Sequence, residues 1–193
     1  MSRYRGPRAK ILRRLGDLDG LMQNPKIKTN KNEDKDNNQK IGPYKLRLME
    51  KQKLRYNYGV SEKQLFRYVK KARKTKGSTG LKILELLEMR LDTIVFRLGW
   101  ANSISQARQY VSHGHVKVNN NKVNIPSFEC NVGDKILIND KIVNNNKTLR
   151  KIASPPQFLE LDKMQGTIKE LVTKDDFTVS INELLIVEYY SRR

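Results

Sequence analysis

Apolar residues recur at helical spacing through the middle of the chain and at alternating spacing beyond it. Leu46, Met49 and Lys53, with Leu54 adjoining, predict a helix from Tyr44 to Tyr56. Arg47, Lys51 and Arg55 lie four apart and share one face of it. Ser61-Glu62-Lys63-Gln64 is a capping box, in which Ser61 accepts from a free amide and Gln64 reaches back. Leu65, Val69 and Ala72 follow as the buried stripe, with Lys63, Arg67, Lys70, Lys71 and Lys74 on the other side and Gly77 as the stop. The run "GLKILELLEMRL" predicts a third helix, buried along Ile83, Leu84, Leu87 and Leu91. A fourth opens at Ser103 with Gln106 three residues on. Ala107, Tyr110 and Val111 line its apolar side, and Arg108 and Gln109 turn away.

After Gly114 the period changes from helical to alternating. Val116 and Val118 alternate with Lys117 and Asn119, and the "NNN" that follows is turn chemistry, since asparagine tolerates positive φ. Val123 and Ile125 resume the alternation as far as Pro126. "DKILI" and "DKIV" predict two more short strands, residues 166–171 another, and Ser180-Ile181-Asn182-Glu183 a capping box before a last helix. No internal repeat appears.

Charge sharpens this outline. The chain of 193 residues has 39 Lys/Arg, 20 Asp/Glu and a formal net charge of +19. Residues 1–80 hold 23 basic and 7 acidic residues, while residues 81–193 hold 16 and 13, so the excess sits in the first part. Such an imbalance repels itself in a compact monomer, and a polyanion relieves it. Nucleic acid is the first partner implied. A membrane is not: there is one Trp, and no apolar run approaches the roughly 20 residues that span a bilayer. The basic start lacks the apolar core of a signal peptide and is not Ser-rich, which points to work in the compartment of synthesis. Abundant Asn and Lys suit an AT-rich coding genome.

The two histidines, His113 and His115, flank Gly114, which fits the left-handed residue that closes a helix. His113 then stands in the last turn, where the macrodipole favours a cation. His115 starts the strand, on one side with Lys117 and apart from His113. They form no HExxH pattern, and with the single Cys130 they give three soft ligands at most, too few for a structural zinc site. Cys130 reads as a buried, inert thiol. No metal, cofactor or catalytic residue is expected. The surrounding charge makes the histidines polar residues at a nucleic-acid contact.

"RLDTIVFRLGWANSISQARQYVSHGHVKVNNNKVNIPS" (90–127) resembles the RNA-binding domain that defines the ribosomal protein S4 family, a domain shared with some tRNA synthetases and pseudouridine synthases. "MSRYRGPRAKILRRLG", "LRLMEKQKLRYNYGVSEKQLFRYVKKA", "GSTGLKILELLEMRLD" and "INELLIVEYYSRR" resemble successive blocks of the ribosomal protein, the first and last most like its plastid form. The resemblance implies an α+β fold. It has a basic, partly flexible arm over 1–43, a helical domain over 44–88 plus 150–193, and an inserted S4-type domain over 89–149. It also implies a structural, non-enzymatic constituent of the small ribosomal subunit. Such a protein binds a multi-helix junction in the 5′ domain of 16S-like rRNA, nucleates assembly and contributes to translational accuracy beside proteins of the S5 family. The place implied is a plastid ribosome, or alternatively a bacterial cytoplasm. Messenger RNA near the entry channel is a further partner in the family. The segment 23–42 departs from its Arg-rich relatives, its lysines diluted by Glu33, Asp34 and Asp36, and the N-terminal cysteine knot of some bacterial members is absent.

The RNA contacts expected are Arg3, Arg5, Arg8, Arg13 and Arg14 on the arm, of which Arg8, Arg13 and Arg14 thread between RNA segments and order on binding. Arg47, Lys51, Lys53, Arg55, Arg67 and Lys71 follow on the helices, and Arg90, Arg108, Gln109, His113 and Lys117 in the shared domain. Arginine's planar fork suits phosphate and base edges. Asp92 is expected to act indirectly, by capping or by orienting an arginine. Tyr56, Tyr58 and Tyr68 are core residues or base-stacking platforms. The alternatives are an RNA-modifying enzyme or a DNA-binding regulator. The 57 residues after Ile136 are short for a catalytic domain and carry no nucleotide-binding glycine loop.

Overall fold

The computed structural model describes residues 4, 6–21, 42–139, 155–162, 164–177 and 181–191. Arg3, Arg5, residues 23–41 of the segment 23–42 and the expected strand "DKIV" lie outside them.

The arm is not a free tether. Residues Arg8–Leu15 form helix α1, which ends at Gly16 with φ +85. Ile11, Leu12, Leu15, Leu18 and Leu21 are buried in a small cluster closed by Met49 and Tyr56. Backbone bonds fix its end: Gly20 N donates to Asn57 Oδ1 at 2.9 Å, and Ile104 N to Gly20 O at 2.9 Å. Gly20 is obligatory, since a Cβ there would stand 2.3 Å from the Asn57 carbonyl. Arg8, Arg13 and Arg14, expected to order on binding, thus stand on a helix that is already packed. Five apolar side chains bury together, at about 1.5–3 kcal/mol each, without a partner.

Helix α2 runs Pro43–Asn57, with proline at the first turn, where no amide is missed. Helix α3, Glu62–Arg73, starts at the predicted box: Gln64 N donates to Ser61 Oγ and Ser61 N to Gln64 Oε1. Leu65, Val69 and Ala72 face the core as expected. The predicted third helix is two. Helix α4 is Thr79–Glu88 and α5 is Leu91–Arg97. Between them Arg90 is extended, and the amides of Leu91 and Asp92 donate to Phe128 O and Pro126 O, at 2.9 and 3.1 Å. Helical period continued through the break because both sides are apolar, so the pattern could not show it. Helix α6, Ile104–Ser112, is capped by Ser103. Gln106 reaches Asn102 N rather than Ser103 N, so the box is one residue out. Helix α7, Glu183–Ser191, is capped by Asn182, whose Oδ1 accepts from Leu184 and Leu185, and the expected cap Ser180 lies outside the described residues.

Among the described residues five antiparallel strands follow the order β2-β1-β3-β5-β4. They are β1 Val116–Val118, β2 Asn121–Lys122, β3 Lys135–Ile138, β4 Leu159–Asp162 and β5 Gln165–Ile168. Asn119 and Asn120, with φ of 48 and 68, make the β1–β2 turn with both central residues left-handed, as a tight hairpin requires. Val123 and Ile125 lie outside β2, and Ile125 is exposed, so their alternation does not report a strand. Strands β4 and β5, expected to accompany the helical part, complete the sheet instead, β5 pairing with β3 and β4 with β5. Gly166 admits Leu98 against β5; a Cβ would meet it at 2.4 Å. Helices α2 and α7, α3 and α4, and α5 and α6 pack in pairs, and one apolar cluster runs from Leu54 through Leu87, Ile94 and Val116 to Tyr190.

Candidate nucleic-acid interface

The cations divide into those spent inside the fold and those left facing solvent. On α3 the apolar stripe fixes the opposite side: Lys63, Arg67, Lys70 and Lys74 are exposed at helical spacing. None of the four has an ion-pair partner among the described residues. Lys70 lies 4.8 Å above the Phe66 ring, and Lys71, at the edge of this face, pairs with Glu129.

Helix α2 behaves differently. Its expected contact face meets α7 and α3 instead of solvent. Arg47 Nε donates to Glu188 at 2.8 Å; Lys51, 4 % exposed, donates to Glu62 at 2.8 Å and stands 4.9 Å above the Tyr189 ring. Burial alone would raise the Glu62 pKa, but the bonds from Lys51 and Tyr190 hold it below the ordinary value. Lys53 pairs with Glu50 at 2.6 Å. Arg47, Lys51 and Lys53, expected as phosphate contacts, each have an internal carboxylate partner instead of a bare solvent face. Arg55 is half-buried above Tyr56, 5.2 Å from the ring, with a long bond of 3.4 Å to Gln52 and a coulombic attraction to Glu62.

The shared domain holds the largest correction. Arg108 does not turn away from the protein. Its Nε and Nη2 donate to Asp92 Oδ2 at 3.0 and 2.8 Å, Nη1 to Gly59 O at 2.8 Å and Nη2 to Tyr58 O at 3.2 Å. Arg90 meets the same carboxylate at 2.9 and 2.7 Å and donates to Tyr68 Oη at 2.6 Å. Asp92 is wholly buried and Arg90 nearly so. One carboxylate thus orients two arginines, the indirect role expected of it. The helical wheel put Arg108 outward because its neighbour Ala107 faces in; the long side chain instead runs back beneath Gly59. A second buried pair lies alongside. Arg97 Nε donates to Glu88 Oε2 at 2.9 Å, and Tyr58 Oη donates to Glu88. Burial, reinforced by Glu88, pushes the Tyr58 phenol well above its usual range. Burial likewise raises the Cys130 thiol, so that residue is inert.

Three further cationic groups face solvent. Arg8, Arg13 and Arg14 are exposed on α1. On the hairpin Lys117 stands directly across from Lys122, both exposed, while Val116 and Val118 point into the core. His113 is exposed at the end of α6, and Gly114 with φ +73 turns the chain so that the two imidazoles come 6.0 Å apart, nearer than strand alternation suggests. No group of three metal ligands occurs among the described residues. Finally, a cleft of about 790 Å³ opens between α1, the end of α2 and the start of α6, and brings Arg8, Arg55 and Gln109 together beside the buried Arg108.

Residues 3–88 match the model of the ribosomal protein S4/S9 N-terminal domain, and residues 89–136 match that of the S4 domain. Over its whole length the chain is 49 % identical to the small ribosomal subunit protein uS4c of Rosulabryum capillare, with all of both chains covered. It is 50 % identical to uS4 of Thermosynechococcus vestitus and 46 % identical to uS4c of Trieres chinensis, again with all of each chain covered. The chain belongs to the uS4 family. Its two family domains meet between Glu88 and Met89, where α4 gives way to the extended Arg90. The Glu88–Arg97 pair and the bonds from Arg108 to Tyr58 and Gly59 cross that boundary. In this uS4 chain the conspicuous arginines of the S4 domain weld it to the N-terminal domain. Of the residues expected, Arg8, Arg13, Arg14, Arg67, Lys71, Gln109, His113 and Lys117 are exposed, and Lys63, Lys70, Lys74 and Lys122 are among the further exposed cations. The first three additions were readable from the α3 wheel. Lys122 required the hairpin register.

Proposed function

We propose that this uS4-family chain is a structural constituent of the small ribosomal subunit that binds rRNA through its exposed cationic faces. The observation that carries the reading is the sorting of charge. Buried arginines hold the two domains together, while α1, α3 and the β1–β2 hairpin present lysines and arginines with few internal acids. Those faces suit folded RNA, which is read by shape, phosphate and 2′-hydroxyl. Their affinity should fall with salt as counterions are released.

In finer detail, the site is a multi-helix junction of the 5′ domain of 16S-like rRNA, the chain nucleates assembly there, and it adjoins S5-family protein and contributes to accuracy. Identity to relatives named for the small subunit, spread over the entire length, supports this. Relatives named uS4c and uS4 match at similar identity; the Asn- and Lys-rich composition supports a plastid ribosome. Co-sedimentation of the purified chain with small subunits at high salt tests the reading. Retention in the pellet is expected, and full release into the supernatant with indifference to junction RNA overturns it.

A further inference from the structure

We infer that the cleft between α1, the end of α2 and the start of α6 holds one unstacked nucleotide of the bound RNA. This rests on the RNA-binding reading and adds a ligand class and a place. The volume of about 790 Å³ is in the range that encloses nucleotide-sized ligands, roughly 300–1,000 Å³. Its walls carry three arginines and no carboxylate. Arg108 is committed to Asp92 and two carbonyls, so an entering anion meets Arg8 and Arg55.

The remaining groups fit a base better than a phosphate alone. Tyr4 is 45 % exposed and stands edge-on to Tyr56, with ring centroids 5.3 Å apart. Tyr56 props the exposed Tyr4 ring edge-on, and a face of Tyr4 offers a base a surface to stack on. Also lining the cleft, on α6, the Ser105 hydroxyl and the Gln109 amide make no side-chain hydrogen bond among the described residues. Gln106 beside them is occupied by Asn102 N and Tyr110. A free amide offers both a donor and an acceptor to a base edge. A paired base hides that edge and stacks on both faces, so only a bulged or looped nucleotide can use this arrangement.

The test is ultraviolet crosslinking of the full chain to a transcript of the small-subunit rRNA 5′ domain, with the adduct mapped on both molecules. Affinity is measured in parallel for the Tyr4→Ala/Gln109→Ala variant and for Lys63→Gln/Arg67→Gln. Both sites are exposed, so the variants fold. An adduct in the cleft to an unpaired nucleotide is expected. Tyr4→Ala/Gln109→Ala should weaken binding about tenfold with its salt slope unchanged, because stacking goes while every phosphate stays neutralised. Lys63→Gln/Arg67→Gln should lower the slope. Adducts confined to other surfaces, a paired nucleotide in the cleft, or unchanged affinity of the Tyr4/Gln109 variant overturns the inference while RNA binding stands. Failure of the unaltered chain to bind the transcript overturns the underlying reading as well.

Discussion

Replacing Asp92 by asparagine removes the one carboxylate on which two buried arginines converge, with almost no change of volume. Four guanidinium bonds of 2.7–3.0 Å end on its two oxygens, and the side chain is fully buried. The amide oxygen can still accept from one arginine, but its NH2 group confronts the other fork donor to donor. Breaking a buried ion pair from one side costs about 3–5 kcal/mol, because the remaining charge is stranded. At about 2–4 °C per kcal/mol for a chain of this size, the melting temperature should fall by roughly 6–20 °C. Differential scanning calorimetry of the unaltered chain and Asp92→Asn reads this directly. Arg108→Gln should also destabilise, since the Gly59 and Tyr58 carbonyls lose their donor. The double variant should lose less than the sum, by about 0.5–3 kcal/mol, as residues sharing one network do. A melting temperature within about 2 °C of the unaltered chain, or strict additivity, would refute the account of Asp92 as the anchor of both arginines.

Substituting Lys63, Arg67, Lys70 and Lys74 together by glutamine should leave the melting temperature nearly unchanged and reduce the slope of log K against log salt by about 0.7–0.9 for each phosphate no longer neutralised; an unchanged slope in filter binding would show that α3 faces away from the RNA. Gly20→Ala should cost about 1–3 kcal/mol by overpacking against Asn57 and free α1 for proteolysis, seen as early cleavage after residues 13 or 14; resistance equal to that of the unaltered chain would count against the docked arm. Stability should also decline in alkali. Tyr58 and Cys130 have raised values in the fold, so their protonated forms are retained while the unfolded chain ionises from about pH 8.5 for the thiol and 10 for the phenol. Folding stability is therefore full below those values and falls as pH rises past them. Urea unfolding at pH 8 and 10 checks the sign, and Cys130→Val should flatten the fall that begins near pH 8.5.

Much of the fold was legible where one physical rule acted alone. The capping box at Ser61, the left-handed stop at Gly114 and the asparagine turn after Val118 each follow from local stereochemistry, and each stands where the sequence places it. The break at Arg90 was hidden because apolar residues continue on both sides, and the competing hydrogen bonds come from residues 126–128, far along the chain. The candidate site divided on the same ground. Exposed lysines on α3 follow from helical period and the buried stripe. Arg47, Lys51, Arg90 and Arg108 look identical to them in sequence, but their carboxylates are Glu188, Glu62 and Asp92, which only the folded chain brings to them. A basic residue is a ligand contact or a structural pin according to tertiary neighbours that no local pattern reports.

The salt dependence of binding tests the central claim most directly. The purified chain is titrated with a small-subunit rRNA 5′-domain transcript and with duplex DNA of equal length, at the same series of salt concentrations. A steep linear fall of log K with log salt, and tighter binding to the folded RNA throughout, is the result predicted. Equal affinity for the two, preference for DNA, or binding that salt does not weaken would contradict it.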